Sequence, residues 1–439
     1  MATSLDPSQP IADTVLFNGA IYTVNPDQPW AEATALKDGR FVFVGSSSGA
    51  NAFVGKHTKS IDLNGHMVLP GLHDMHIHGV EGALQALFNC KIPATASVDE
   101  VVELVGKFAA EESDDPFVMG NGWMMHIANE ISKFKLDAIC SDRPVFLWDG
   151  ALHNAWCNSA MLEAAQIDAS SPDPAGGKIV RDTDCEPTGL LLETAAALVF
   201  QAVPKHSPEA YQQAVIWLAD MLNSYGVTSI KEAAVDRSIA QAYKSVGERN
   251  ILNLRVGLHF LWITPFIYDA SDLESLLEDR HQFAVDRVKV DFLKLFLDGV
   301  PAARTAAMLE PYVGDDAQSH DPYELLLVEP EILKQVLVHF DAAGLLVKMH
   351  ATGDASLRVC LDAIEAARLA NGHSGLGHEI AHPQNVHPAD LPRFAELGAV
   401  ADLCPKLWQP SVNKDQVVKK QLGESRVERS WPIGSYHRS

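Results

Sequence analysis

The sequence from Gly71 onward alternates short apolar runs with stretches of helical periodicity, and this alternation is the strongest constraint on the fold. Helical patterns occur at 207–226, 329–344 and 355–368, and they separate apolar runs of strand length. Such alternation favours a parallel sheet, and a count of seven strands is one short of an eight-stranded barrel. We therefore predict an α/β fold, a (β/α)8 TIM-like barrel whose last strand is missing. The seven runs are residues 72–78, 226–233, 253–262, 290–299, 345–350, 375–382 and 399–405.

Residues 12 to 70 show a different pattern, in which short β-rich runs are separated by N-G and D-G pairs. Pairs of this kind between apolar runs are typical of tight hairpin turns. We predict a small β domain over residues 1–70, followed by the barrel domain over residues 71–439.

Composition and charge narrow the functional classes. Of the 439 residues, 47% are hydrophobic and 21% are charged, as in ordinary globular proteins, and no run of eighteen apolar residues is present. The net charge of −23 disfavours nucleic acid and acidic membranes as partners. Six scattered cysteines, without a C-x-x-C pair, and an N-terminus unlike a signal peptide predict a soluble cytoplasmic protein with free thiols. Homo-oligomerisation is left open.

The stretch P-G-L-H-D-M-H-I-H contains His76 and His78, one residue apart, at the end of the first predicted strand. Side chains at alternate positions of a strand share a face, about 7 Å apart along it. Two such histidines can converge on one metal ion with bonds of roughly 2 Å. A solvated turn is the alternative, because Pro70, Gly71 and Gly79 flank the stretch, but the preceding apolar strand favours a metal site.

Two more histidines end predicted strands. His350 closes the run L-L-V-K-M-H, and His382 closes G-H-E-I-A-H. Active sites of α/β barrels lie at the carboxyl ends of the strands, so these positions converge in space. A single histidine of this kind is more often structural, whereas four on one rim predict a metal site.

Lys294 is the unusual residue of the run F-L-K-L-F-L-D-G, since it shares a strand face with Phe292, Phe296 and Asp298. Burial of an ammonium group among apolar side chains is costly. Three interpretations stay open: an ion pair with Asp298, a lowered pKa suited to Schiff-base chemistry, and carbamylation to an anion that bridges two metal ions.

His378 to His382 also match H-E-x-x-H, the zinc-protease signature, which functions only on a helix. Glycines precede the motif and Pro383 follows it directly, so no helix of ordinary length fits here. We interpret the segment as a strand.

Together these motifs resemble the amidohydrolase superfamily, and within it the branch called amidohydrolase family 3. The likeness extends from about Ala12 to the end of the chain. It rests on the ordered motifs N-G-A-I-Y-T-V, V-L-P-G-L-H-D-M-H-I-H, H-N-A-W-C-N-S-A, G-G-K-I-V-R-D, P-T-G-L-L-L-E, K-L-F-L-D-G, A-R-T-A-A-M-L-E-P-Y, K-M-H-A-T-G-D-A and H-E-I-A-H-P-Q.

The resemblance implies a distorted barrel beside a small β-sandwich, with an insertion over the active site at about residues 79–225. It implies a divalent metal centre of one or two ions, with zinc as the expected metal. A small-molecule substrate is the expected partner. The ligands implied are His76 and His78 on strand 1, carbamylated Lys294 on strand 4, His350 on strand 5 and His382 on strand 6. The substrate contacts expected are His153, Trp123 and Asp298.

One departure concerns the end of the chain. The family has an aspartate on strand 8 that binds metal and acts as general acid and base, and here the sequence ends at S-W-P-I-G-S-Y-H-R-S before an eighth strand. The closing strands of the sandwich are missing as well. We interpret the sequence as C-terminally truncated and assign no catalytic residue. Asp402, near the end of strand 7, is not the family's aspartate.

The function implied by the resemblance is hydrolysis of an amide-type C–N bond by a metal-activated water. Without the strand-8 aspartate, we expect metal binding to survive and turnover to be severely weakened. Two alternatives stay open: a binding protein that has lost the chemistry of this fold, and a lyase that uses Lys294 as a Schiff base.

Overall fold

The structure is a computed structural model that describes residues 10–112, 116–150, 154–174, 177–203, 205–263, 270–408 and 417–436. The chain divides into two compact units, residues 1–73 and 74–439. Within the described residues, no helix has both the length and the apolar character required to cross a membrane.

The largest sheet has seven strands whose order in space follows their order in the chain. The second to seventh strands pair in parallel with their neighbours. At the carboxyl ends, a 2.7 Å contact between His76 and Asp402 links the first strand to the seventh, so the barrel is nearly closed. Each apolar run identified in the sequence overlaps one of these strands, with bounds that differ by up to four residues: Leu72–Ile77, Val227–Val235, Arg255–Ile263, Val288–Phe296, Leu346–His350, Glu379–Ala381 and Val400–Asp402. The runs 375–382 and 399–405 extend furthest beyond their strands.

Helices connect the barrel strands, as the sequence predicts. Ser207 caps one of them by accepting a hydrogen bond from the backbone N–H of Ala210, and proline occupies its first turn. The connecting helices are Gly79–Phe88, Pro208–Ser224, Arg237–Glu248, Ala270–Asp279, Pro330–Ala342, Asp354–Asn371 and Leu391–Leu397. Short helices follow at Pro405–Trp408, Lys419–Leu422, Glu424–Arg429 and Ile433–Tyr436.

Strand alternation separates the apolar core from the barrel interior. On the fourth strand, Leu293 and Leu295 are fully buried in the main hydrophobic core, which also includes Leu357 and Leu361 of the helix Asp354–Asn371. Lys294, between the two leucines, is equally buried but lies on the opposite face. The period of two therefore directs leucines to the helices and polar side chains to the centre of the barrel.

A separate six-stranded sheet lies within the predicted insertion. It has its own apolar core, in which Trp123 and Trp156 are fully buried. Its strands are Cys90–Lys91, Val118–Trp123, Val145–Asp149, Asn154–Cys157, Gly177–Arg181 and Pro187–Glu193, with helices Val98–Glu111, Lys133–Asp137, Ser159–Ala164 and Thr194–Phe200.

The N-terminal unit contains two small sheets and one short helix, Ser47–Ala50. The first sheet has the order Arg40–Gly45, Ala33–Lys37, Thr14–Phe17 and Lys59–Asp62. The second has the order Trp30–Ala31, Ala20–Tyr22 and Met67–Val68. The predicted β content is confirmed, while a sandwich arrangement of the sheets stays a prediction.

Candidate metal centre

His76 lies on the first barrel strand, and its side chain is only 4% exposed. Its Nδ1 is 2.7 Å from the carboxylate of Asp402. A carboxylate only accepts hydrogen bonds, so Nδ1 carries the proton and the lone pair is on Nε2. Nε2 is buried and has no hydrogen-bond partner among the residues that the structure describes. A histidine whose far nitrogen is held by a carboxylate is the usual form of a metal ligand.

His382 and His350 lie beside His76 in the barrel. The ring centroids of His76 and His382 are 4.4 Å apart, and those of His350 and His382 are 5.1 Å apart. Nε2 of His350 donates to the carbonyl of Gly299 at 3.1 Å, which leaves Nδ1 as the acceptor. Nδ1 of His382 is buried, and no group in the described part of the chain forms a hydrogen bond with it. The structure therefore brings three of the predicted histidines together.

His78 follows the first barrel strand, and its ring centroid is 5.7 Å from that of His76. As a residue it is more exposed than the other three histidines. It lies at the edge of the cluster. Side chains at alternate positions of a strand share a face, so His78 is directed to the same side as His76.

Lys294 is fully buried, and its Nζ has no hydrogen-bond partner among the described residues. Its ammonium lies 4.8 Å from the ring centroid of Phe296, which in turn is 5.4 Å from His350. Burial and the neighbouring charge of Lys348 lower the pKa of Lys294 to about 7. The ion pair with Asp298, one of the three interpretations of this lysine, is not formed.

Asp298 is used elsewhere. Its carboxylate accepts hydrogen bonds from the backbone N–H groups of Ala307, Thr352 and Gly353 and from the hydroxyl of Ser356. Burial raises the pKa of Asp298 to about 6 against the effect of these bonds. It anchors the loops after the fourth and fifth strands, and its contact with substrate stays a prediction.

A row of charged side chains occupies the barrel interior below the histidines. Lys231 pairs with Glu379, and Lys348 lies between Glu379 at 3.1 Å and Asp402 at 2.5 Å. Lys348 also donates to the backbone carbonyl of Met75 at 2.5 Å. The carboxylates of Glu379 and Asp402 are therefore paired with other lysines. This explains why Lys294 has no anionic partner among the described residues.

This row of charged side chains was not identified in the sequence, although the sequence contains a signal for it. Lys348 is two residues before His350, and Asp402 ends a strand in the run A-V-A-D-L-C-P. The period of two places Lys348 on the same face as His350. Cys404, two residues after Asp402, was missed as well, because it lies beyond the strand and the pattern gives no direction for its side chain.

Electrostatics keep the histidines neutral. Burial, followed by the charge of Lys294, lowers the pKa of His350 to about 3. The pKa values of His76 and His382 are also lowered, chiefly by burial. Neutral imidazole is the form that ligates metal ions, so the lone pairs are available at neutral pH.

The structure places Trp123, one of the predicted substrate contacts, away from this cluster. Trp123 is fully buried in the core of the insertion, and its indole N–H donates to the carbonyl of Leu147 at 2.8 Å. His153 lies outside the described residues. Both assignments stay predictions.

The H-E-x-x-H segment forms the strand Glu379–Ala381 rather than a helix. His378 is fully buried, its Nε2 lies 2.9 Å from Asp341, and its Nδ1 accepts the backbone N–H of Val347. Both of its nitrogens are occupied away from His382, so the protease signature has no structural counterpart.

The residues fit a divalent metal ion. Within the described residues, His76 and His382 each have a buried ring nitrogen without a hydrogen-bond partner. An isolated buried polar atom is costly unless a partner satisfies it. Imidazole is a preferred ligand of zinc and related transition metals. The ligand atoms of these two histidines and of Cys404 lie within 4.8 Å of one another.

Comparison with known proteins agrees with this architecture. The model of the amidohydrolase family matches residues 59–438, and the chain belongs to this family. The resemblance drawn from the sequence motifs is thereby confirmed.

Two curated relatives are 26% and 28% identical to the chain over their aligned residues. Protein LONG AFTER FAR-RED 3 of Arabidopsis thaliana is 28% identical over 97% of this chain and 73% of its own length. The N-substituted formamide deformylase of Arthrobacter pascens is 26% identical over 81% of this chain and 66% of its own length. An uncharacterized metal-dependent hydrolase from Pyrococcus furiosus superposes with a TM-score of 0.75 and 23% identity, over 97% of this chain and 83% of its own, which shows a common fold.

Proposed function

We propose that this protein is a metal-dependent hydrolase that cleaves an amide-type C–N bond in a small molecule. One observation carries the proposal: the buried, unpartnered ring nitrogens of His76 and His382, whose ring centroids are 4.4 Å apart. Family membership supports hydrolysis, and zinc is the expected ion. A divalent ion in such a centre polarises a carbonyl group and activates water.

The residues of the chain have distinct parts in this proposal. Asp402 fixes the tautomer of His76, and Lys348 holds Asp402 in place. Lys294 is partly an uncharged amine near pH 7, because its pKa is about 7. An uncharged amine can add to carbon dioxide and lose a proton, which gives the carbamate that this family position implies.

The substrate class that we propose to test first is the N-substituted formamides, because one relative is named for their deformylation. The protein, purified without chelator, would be analysed by elemental mass spectrometry and then incubated with a panel of formamides and other amides, with release of the amine as the readout. We expect one to two equivalents of zinc, and any release of amine, even if slow, should stop when the metal is removed.

A matched pair of variants gives the control. His382→Ala is expected to lose metal and activity, whereas His57→Gln, at an exposed histidine, is expected to keep both. Absence of bound metal, even after incubation with zinc, would contradict the proposal.

The lowered pKa of Lys294 favours a second candidate function, that of a Schiff-base lyase. An unpaired buried lysine with a pKa near 7 is also a suitable nucleophile toward a carbonyl substrate. Borohydride reduction in the presence of carbonyl compounds would attach the substrate irreversibly to the wild type but not to Lys294→Met. Mass spectrometry that finds no adduct would eliminate this candidate.

A further inference from the structure

We propose that Cys404 is a protein ligand of the metal centre, together with His76 and His382. This inference rests on the proposed metal-dependent function and assigns a thiolate to it. Within the part of the chain that the structure describes, these three residues form the one cluster of three or more potential ligand side chains at metal-binding spacing.

The location of Cys404 follows from the seventh barrel strand. Val400–Asp402 ends with Asp402, whose carboxylate is 2.7 Å from His76, and Cys404 comes two residues later. The backbone carbonyl of Asp402 also accepts the N–H of His382 at 3.1 Å. The side chain and the backbone of one residue thus join the seventh strand to both histidines, and Cys404 lies immediately beyond this junction.

The second, independent observation concerns the two histidines. The side chain of His76 is 4% exposed, and Asp402 occupies its Nδ1. Among the described residues, Nε2 of His76 and Nδ1 of His382 have no hydrogen-bond partner. The three ligand atoms lie within 4.8 Å of one another. Ligands bonded to one ion at roughly 2.0 to 2.3 Å lie closer than this, so binding would have to draw the three side chains together.

Two other cysteines of the chain have the surroundings that are typical of an unreactive thiol. Cys157 and Cys360 are fully buried within clusters of apolar side chains. Buried cysteine of this kind serves as a small hydrophobic residue. Cys404 is only partly buried, and the neighbours that it shares a cluster with are ring nitrogens rather than methyl groups.

The chemistry of the set has three consequences. A metal ion held by Cys404 would replace the thiol proton, which would be released to solvent. Two imidazoles and one thiolate would leave room for water or substrate at an ion that takes four ligands, as catalytic sites require. A thiolate also favours zinc, cobalt or cadmium over magnesium and manganese, which prefer oxygen ligands.

The test uses the full chain reconstituted with cobalt(II), because a cobalt–thiolate bond gives an intense charge-transfer band in the near ultraviolet. We expect this band in the wild type and in Cys185→Ser, a control at an exposed cysteine, and its loss in Cys404→Ser. The weaker visible bands of bound cobalt should persist in Cys404→Ser, with cobalt affinity lower by at least about tenfold.

X-ray absorption on the zinc-loaded wild type is the complementary measurement, since it requires no variant. A sulfur shell near 2.3 Å supports the inference. Bound cobalt or zinc without any sulfur signal overturns the role of Cys404 and leaves the proposed function standing. Failure of the wild type to bind either metal overturns both.

Discussion

Replacement of Asp402 by alanine should affect stability and metal binding together. The carboxylate is 2.7 Å from Nδ1 of His76 and 2.5 Å from Nζ of Lys348, and the side chains of Asp402 and Lys348 are 7% and 0% exposed. Removal of one partner of a buried ion pair typically costs 3–5 kcal/mol, because the other charge is left uncompensated. Lys348 keeps Glu379 at 3.1 Å and the carbonyl of Met75 at 2.5 Å. We therefore expect the lower limit, a loss of about 3 kcal/mol in the free energy of unfolding.

The assay is urea unfolding of metal-free protein, followed by competition for zinc with a chelator. Loss of the carboxylate also frees the tautomer of His76, so zinc affinity should fall by roughly ten- to a hundredfold. Asp402→Asn should lose less stability than Asp402→Ala, because asparagine keeps the side-chain volume and one hydrogen-bond acceptor. Asp286→Asn, at a side chain that is 83% exposed, should change stability by less than about 0.5 kcal/mol. A loss below about 1 kcal/mol in Asp402→Ala, with zinc affinity unchanged, would refute this reasoning.

Three further predictions concern a buried carboxyl group, the metal and a tryptophan. Burial raises the pKa of Glu232 to about 7 from 4.5, so the folded protein holds this proton more tightly. Stability should then fall as pH rises from about 4.5 to 7, by roughly 3 kcal/mol relative to Glu232→Gln. Parallel unfolding curves of wild type and variant across that range would contradict this. Zinc at a hundred times its dissociation constant should stabilise the wild type by about 2.7 kcal/mol and leave His382→Ala unchanged in thermal unfolding. Equal zinc stabilisation of both proteins would place the ion elsewhere. Trp123→Phe removes the hydrogen bond from the indole N–H to the carbonyl of Leu147, at a cost of about 0.5–1.5 kcal/mol in urea unfolding. Unchanged stability with a raised KM would instead assign Trp123 to substrate.

Much of the barrel was predictable because its signals are local. Each of the seven apolar runs overlaps a strand, and the cap at Ser207 begins the helix Pro208–Ser224. Burial on both sides of a parallel sheet requires apolar runs, and helix starts require caps. The convergence of His76, His350 and His382 followed from one rule of topology, since the carboxyl ends of barrel strands meet. The ion pair considered for Lys294 was wrong, because backbone N–H groups of distant loops satisfy Asp298 instead.

The sequence by itself determined the order of strands and helices, the family and the histidines that end the strands. Those properties depend on the periodicity of apolar residues and on the spacing of residues that are close along the chain, and a sequence records both directly. Only the tertiary structure decided how the charges in the barrel interior are paired. Asp402 contacts His76 across 326 positions of the chain, and Cys404 joins the same cluster only when the barrel nearly closes. Pairing over such distances depends on the register between strands. The period of two gives the face of each side chain within its own strand, but no local pattern encodes which residue of another strand lies opposite it.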